Sequence, residues 1–192
     1  MKRLALVLAV VALCAACGGS KAPKFTAEAQ VLPSLVAPPF TLDDDAGQPV
    51  SLPAKPGHYV IVTFLYTHCP DVCPIIAGNL NRALKTPTAK QAGLTVLAVS
   101  VDPKGDTAAA VRKYIAERGL VSSFHYLIGS QVQLAPVWSK FHIGAVAGPK
   151  ETVTHQSYEF LIDPTGHERL LYGKGVQPEW IVSDLKTLMK ES

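Results

Sequence analysis

Cys69 and Cys73 stand in the string Thr67-His-Cys-Pro-Asp-Val-Cys-Pro74. Residues at i and i+4 fall on one side of a helical turn. A continuous apolar, β-branched run from Tyr59 to Tyr66 precedes the pair, and Ile76, Leu80 and Leu84 follow at helical spacing. The thiols therefore sit where a buried strand hands over to a helix, the place where open α/β sheets bind ligands. A helix N-terminus favours thiolate over thiol. Thiolates are soft ligands for Cu(I) and also bind Zn(II), and the same sulfurs are suited to thiol–disulfide exchange. A purely structural disulfide is disfavoured, because closing so short a loop adds little chain-entropy stabilisation.

The chain has four cysteines. Cys14 and Cys17 fall in an N-terminal segment built like an export signal: Lys2 and Arg3, an apolar run from Leu4 to Leu13, then Ala15, Ala16 and Cys17-Gly-Gly-Ser20. The run is well short of the roughly 20 residues a spanning helix needs and fits a signal-peptide core. The segment resembles a bacterial lipobox, with cleavage before Cys17 and lipid on its thiol. On that reading 1–16 is the signal peptide, 17–38 a lipid anchor and flexible tether, and 39–192 the folded domain. Cys14-Ala-Ala-Cys17 has C-x-x-C spacing, but it lies inside the apolar leader with no strand before it. Acylation of Cys17 leaves Cys69 and Cys73 as the free thiols of an extracytoplasmic, membrane-anchored protein.

The net charge is +3, and there is no long Lys/Arg run. That argues against nucleic acid as a partner. The elements that must position the thiols follow from periodicity. Phe40-Thr-Leu42 and Val50-Ser-Leu52 alternate as a hairpin. Tyr59–Tyr66, Leu94–Val101, Phe124–Ile128 and Tyr158–Ile162 read as strands, and Arg169–Tyr172 as the hairpin partner of the last. Helices are expected after Cys73, after Asp106 or Thr107 as cap, over Gln131–His142, and from Pro178 with Ile181, Leu185 and Leu188 inward. The fold class is α/β: a mixed, mostly parallel central sheet flanked by helices, with an N-terminal hairpin.

Five segments together resemble the Sco/SenC family. They are Phe40-Thr-Leu42; Asp45-Ala-Gly-Gln-Pro-Val-Ser-Leu52; Phe64-Leu-Tyr-Thr-His-Cys-Pro-Asp-Val-Cys-Pro74; Ser100-Val-Asp-Pro103 with Asp106-Thr107; and His155 ahead of Tyr158-Glu-Phe-Leu-Ile-Asp-Pro-Thr-Gly166. The resemblance implies a thioredoxin-like fold tethered at the outer face of a membrane. It also implies copper, as Cu(I) or Cu(II), on Cys69, Cys73 and His155, and a role in assembling the copper centre of cytochrome c oxidase. The partners it implies are the copper-binding subunit of the oxidase, other periplasmic copper chaperones and a thiol reductant. Asp102 is expected behind the ligands or at the docking face, and Asp71 as the cap of the cysteine helix. In related thioredoxin-fold enzymes a cis-proline faces the cysteines. Ser157 falls at that place here, which sets His155 on the loop beside the thiols. Thr154 stands where the family often has an acidic residue. The rival function is a thiol–disulfide reductase using Cys69 and Cys73 on the oxidase copper site or another exported protein; the extra residue in C-x-x-x-C and the missing proline weigh towards metal.

Overall fold

The computed structural model describes residues 23–53, 57–147 and 153–191. In chain order the elements are β1 (Gln30–Val31), β2 (Phe40–Asp44), β3 (Pro49–Leu52), β4 (Val60–Leu65), α1 (Val72–Leu84), α2 (Pro87–Gln91), β5 (Thr95–Ser100) and α3 (Ala108–Arg118). They continue with β6 (Phe124–Ile128), α4 (Gln131–Lys140), β7 (Ala145–Ala147), β8 (Val153–His155), β9 (Tyr158–Ile162), β10 (Glu168–Gly173) and α5 (Pro178–Leu188). No helix among the described residues is long and apolar enough to cross a membrane.

One sheet runs in the order β1-β10-β9-β4-β5-β6-β2-β3, and β7 and β8 form a separate ribbon. Every residue of β4 is buried, and all of β5 but Thr95. These two strands are the apolar, β-branched runs of the sequence, and such runs suit a strand covered on both faces. Their pairing is parallel, from Val60 opposite Thr95 to Leu65 opposite Ser100. β5 and β6 are also parallel.

The parallel part ends there, which corrects the expectation of a mostly parallel sheet. β9 runs antiparallel to β4 and to β10, β10 to β1, and β2 to both β3 and β6. The reason is connectivity. A parallel neighbour needs a crossover, usually a helix. Only the α1–α2 and α3 connections join neighbouring strands in that way. β9 and β10 are joined by the tight turn Asp163-Pro-Thr-Gly166, whose Gly166 amide donates to Asp163. Gly166 takes a φ of +85°, a backbone state that glycine adopts without strain.

The core lies between the sheet and its helices. Ile76, Leu80 and Leu84 of α1, and Ile181, Leu185 and Leu188 of α5, are buried as their spacing predicts, and the two helices pack on each other. Leu134, Val137, Trp138 and Phe141 are buried on and just after α4. There the Phe141 ring packs tilted against Phe64 and edge to face against Phe160.

Residues 23–38, read above as part of a tether, lie against the domain. Phe25 packs on the core. Thr26 gives its amide and its hydroxyl to the two carboxylate oxygens of Asp184, at 2.7 and 2.8 Å. Leu32 donates to the Arg169 carbonyl and Ala37 to that of Gly166. Backbone pairing to segments more than 120 residues away leaves no local periodicity to read. The expected signal peptide and Cys17 lie outside the described residues.

Candidate metal-binding dithiol site

β4 ends at Leu65, and the chain turns at once, with the Cys69 amide donating to the Tyr66 carbonyl at 3.3 Å. Cys69 is thus on the turn, while Cys73 is on the first turn of α1. Both are free thiols and both are buried. Helix N-termini leave amides without intrahelical acceptors. Pro74 has none to satisfy, and the Cys73 amide points to Cys69 Sγ at 3.4 Å.

This changes the expected role of Asp71. It occupies the N-cap position of α1, but at φ −128° and ψ −95° its carboxylate makes no capping hydrogen bond, and the side chain is exposed. A capping residue usually has extended backbone that aims its oxygen back at the helix; this one does not. Asp71 contributes through its backbone amide, which helps hold the Cys69 pKa down.

The two thiols share one proton unequally. Cys69 is lowered from 9.0 to about 5, first by the hydrogen bond from the Cys73 thiol; the amides of Asp71 and Cys73 and the Tyr66 hydroxyl add to this against the cost of burial. Cys73 is pushed up, first by that same hydrogen bond and then by burial. The first ionisation is therefore easy and falls on Cys69. The second is hard, since it would place a second negative charge beside the first.

His155 ends β8, and the Ala145–His155 pair closes the β7–β8 ribbon. Its ring meets the Tyr66 ring edge to face, with centroids 6.0 Å apart. Nδ1 donates to the Gln156 carbonyl at 2.8 Å. That bond fixes the tautomer and leaves the Nε2 lone pair free, the state in which imidazole binds metals. Burial lowers the His155 pKa, while the Gln156 carbonyl and the Cys69 charge pull it up. The imidazole therefore lies across the Tyr66 ring and within electrostatic reach of Cys69, on a ribbon absent from the periodicity, although its nitrogens and the two sulfurs are not gathered within 4.8 Å of one another.

Asp102 does not join this group. Its Oδ1 accepts from the Lys104 and Gly105 amides at 3.3 and 3.0 Å, so the carboxylate closes its own loop. It lies beside His68 and Asp106, with one possible ligand atom from each within 4.8 Å of the others. Asp106, however, has both oxygens committed. Oδ1 accepts from the Thr67 amide and hydroxyl at 2.8 and 2.7 Å. Oδ2 accepts from the Ser100 and Tyr126 hydroxyls at 2.6 and 3.0 Å. The cluster is a brace for the loop. Burial raises the Asp106 pKa, and the four hydrogen bonds oppose it. His68 is exposed, and its Nδ1 is hydrogen-bonded to the Thr67 hydroxyl.

Two residues of this site escaped the sequence. Asp106 read as one of two candidate caps for α3, and the cap is Thr107, which accepts from the Ala110 amide. Tyr66 read as the last apolar residue of its strand. Both lie in segments that carry the family resemblance, but neither residue type nor spacing gave them a place in the site.

The SCO1/SenC family model matches residues 28–190. The mouse protein described as "Protein SCO2 homolog, mitochondrial" is 30% identical over 158 residues, which cover 77% of this chain and 60% of that protein. The chain thus spans less than two thirds of that relative. Among solved structures, Arabidopsis thaliana ScoI with copper bound superposes with a TM-score of 0.70 at 26% identity, covering 81% of this chain and 99% of the other. BsSco, described with a disulfide switch and as a member of the Sco family of cytochrome c oxidase assembly proteins, gives 0.69 at 26% identity, covering 85% and 98%. The architecture common to these structures is thioredoxin-like.

Proposed function

This chain belongs to the SCO1/SenC family, and from that premise we propose that it is a copper metallochaperone whose cargo is held by Cys69, Cys73 and His155. The observation that supports the reading is a buried free dithiol at the head of α1, with the Cys69 pKa lowered, and the His155 imidazole across the Tyr66 ring with its Nδ1 proton on the Gln156 carbonyl. Two soft sulfurs and one imidazole suit Cu(I) in a three-coordinate site, and the same set accommodates Cu(II). A three-coordinate ion is open to an incoming thiolate, so the cargo leaves by ligand exchange. The recipient is the copper-binding subunit of cytochrome c oxidase, reached outside the cytoplasm by a chain anchored through lipid on Cys17. Other periplasmic copper chaperones supply the metal. A thiol reductant keeps the pair open, because a Cys69–Cys73 disulfide cannot bind it.

The test is titration of the reduced protein with Cu(I) and with Cu(II), repeated for Cys69→Ala, Cys73→Ala and His155→Ala. One equivalent should bind, with large losses in each variant. Stoichiometric binding that survives all three changes would sink the ligand set. Deleting the gene should lower oxidase copper in the host.

The second reading is a thiol–disulfide reductase. What favours it is the unequal pair: a Cys69 thiolate at about 5 beside a protonated Cys73, as in dithiols that attack a substrate disulfide and then resolve it. No copper binding, together with rapid reduction of a model disulfide, would establish that activity in place of copper transfer.

A further inference from the structure

Asp106 ties together three neighbouring strands, the carboxyl ends of β4 and β5 and the middle of β6. Thr67 is two residues beyond β4, Ser100 ends β5, and Tyr126 lies in β6 opposite Ala98. All three donate to the one carboxylate, which is 3% exposed. Four donors on two oxygens is the full complement of an ionised carboxylate. Ser100 is itself held, since its carbonyl takes the Trp138 indole N–H at 2.9 Å. The loop beyond β5 is packed just as closely. A Cβ on Gly105 would lie 2.2 Å from Asp102 Oδ2 and 3.3 Å from His68 Nδ1.

The two thiols are supported differently. Cys73 belongs to α1, whose buried face fixes it against the sheet. Cys69 stands on the turn between β4 and α1, and its sulfur accepts the Cys73 amide of the helix start. What ties this turn back to the sheet is Thr67, by backbone and side chain together, and both bonds end on Asp106. A bond from a backbone amide to a buried carboxylate is short, charge-assisted and hard to replace.

We propose that Asp106 is the positioning residue of the dithiol: by holding Thr67 it sets where Cys69 stands relative to Cys73 and His155. Its main readout rests on the copper reading above, and a second readout does not.

The experiment compares Asp106→Asn, Thr67→Val and Asp184→Asn in the full chain. Asp184 is the control, being equally buried and bonded to Thr26 and Tyr172 on the side of α5. Cu(I) affinity is measured by competition with a chromophoric chelator, Cu(II) geometry by the thiolate-to-metal absorption band, and stability by thermal melting. Asp106→Asn should weaken Cu(I) at least ten-fold and shift the Cu(II) band, with Thr67→Val intermediate. Asp184→Asn should lower the melting temperature comparably and keep affinity within two-fold. A wild-type affinity and spectrum in Asp106→Asn, or an equal loss in Asp184→Asn, overturns the proposal. If the wild type binds no copper, the functional reading fails, and the clamp is judged on disulfide formation. There the two thiols and one glutathione disulfide give the intramolecular disulfide and two glutathiones. Asp106→Asn should then lower that equilibrium constant at least ten-fold, and equality with wild type or with Asp184→Asn overturns it.

Discussion

The Cys69 sulfur caps the helix that carries Cys73, with Sγ accepting the Cys73 amide at 3.4 Å. The Cys73 thiol beside it is the largest cause that lowers the Cys69 pKa. One sulfur therefore serves as helix cap and as hydrogen-bond acceptor. Each donor that stabilises the helix start also stabilises the Cys69 thiolate.

Cys69 should accordingly be alkylated by iodoacetamide with a midpoint at about pH 5, while Cys73 stays unmodified in the native protein. The Cys69 pKa is depressed on folding, so its ionisation stabilises the native state fully above the ordinary thiol pKa. That contribution is lost as pH falls through about 5. Cys73→Ala removes the largest cause of the depression and should raise the midpoint by about one to two pH units. A pH–rate profile with mass-spectrometric site assignment checks both statements; an unmoved midpoint contradicts them.

Glu159 is buried near the start of β9, with Thr63 as a weak partner at 3.4 Å and Oε2 without a hydrogen bond. Burial raises its pKa well above the ordinary value. A carboxyl whose folded pKa is raised gives its full stability below the unfolded pKa and loses it as pH rises through the folded value. Glu159→Leu should therefore stabilise the protein at neutral pH, by about 1–3 kcal/mol for removing an unsatisfied buried group. It should also flatten the fall in stability from pH 5 to 8. Urea melts across that range would show it, and an unchanged pH dependence would count against it.

Gly105→Ala should cost about 1–3 kcal/mol through overpacking, since the new Cβ would meet Asp102 Oδ2 at 2.2 Å. Thermal melting measures the loss. Gly47→Ala is the contrast: its φ is +73° but no atom lies within 4 Å of the new Cβ, so only backbone strain is paid, roughly 1 kcal/mol.

Thr26→Ala deletes one of the two bonds from the N-terminal segment to Asp184. The expected cost is about 0.5–1.5 kcal/mol, with faster proteolytic cleavage near residues 23–36. Equal cleavage rates in the variant and the wild type would show that Phe25 and the β1 pairing hold the segment without Asp184.

The principal strands and all but the shortest of the helices were legible, because burial on both faces of β4 and β5 and on one face of α1 and α5 leaves a periodic apolar pattern. The cysteine pair was legible too: its spacing places both sulfurs at a strand-to-helix junction whatever surrounds them. Parallel or antiparallel pairing was not, because it depends on how the chain returns after α4. The five-residue helix α2 is too short for a period to show.

The sequence by itself determined the reactive element, a strand end running into a helix with two thiols one turn apart, and the likeness that singled out His155. Only the tertiary structure decided which thiol holds the proton, which nitrogen of His155 is free, and that Asp106 rather than Asp71 or Asp102 braces the Cys69 turn. Those properties belong to hydrogen bonds between strand ends and loops far apart in the chain. A residue type and its spacing carry no record of such partners; they exist only once the sheet has brought β4, β5 and β6 side by side.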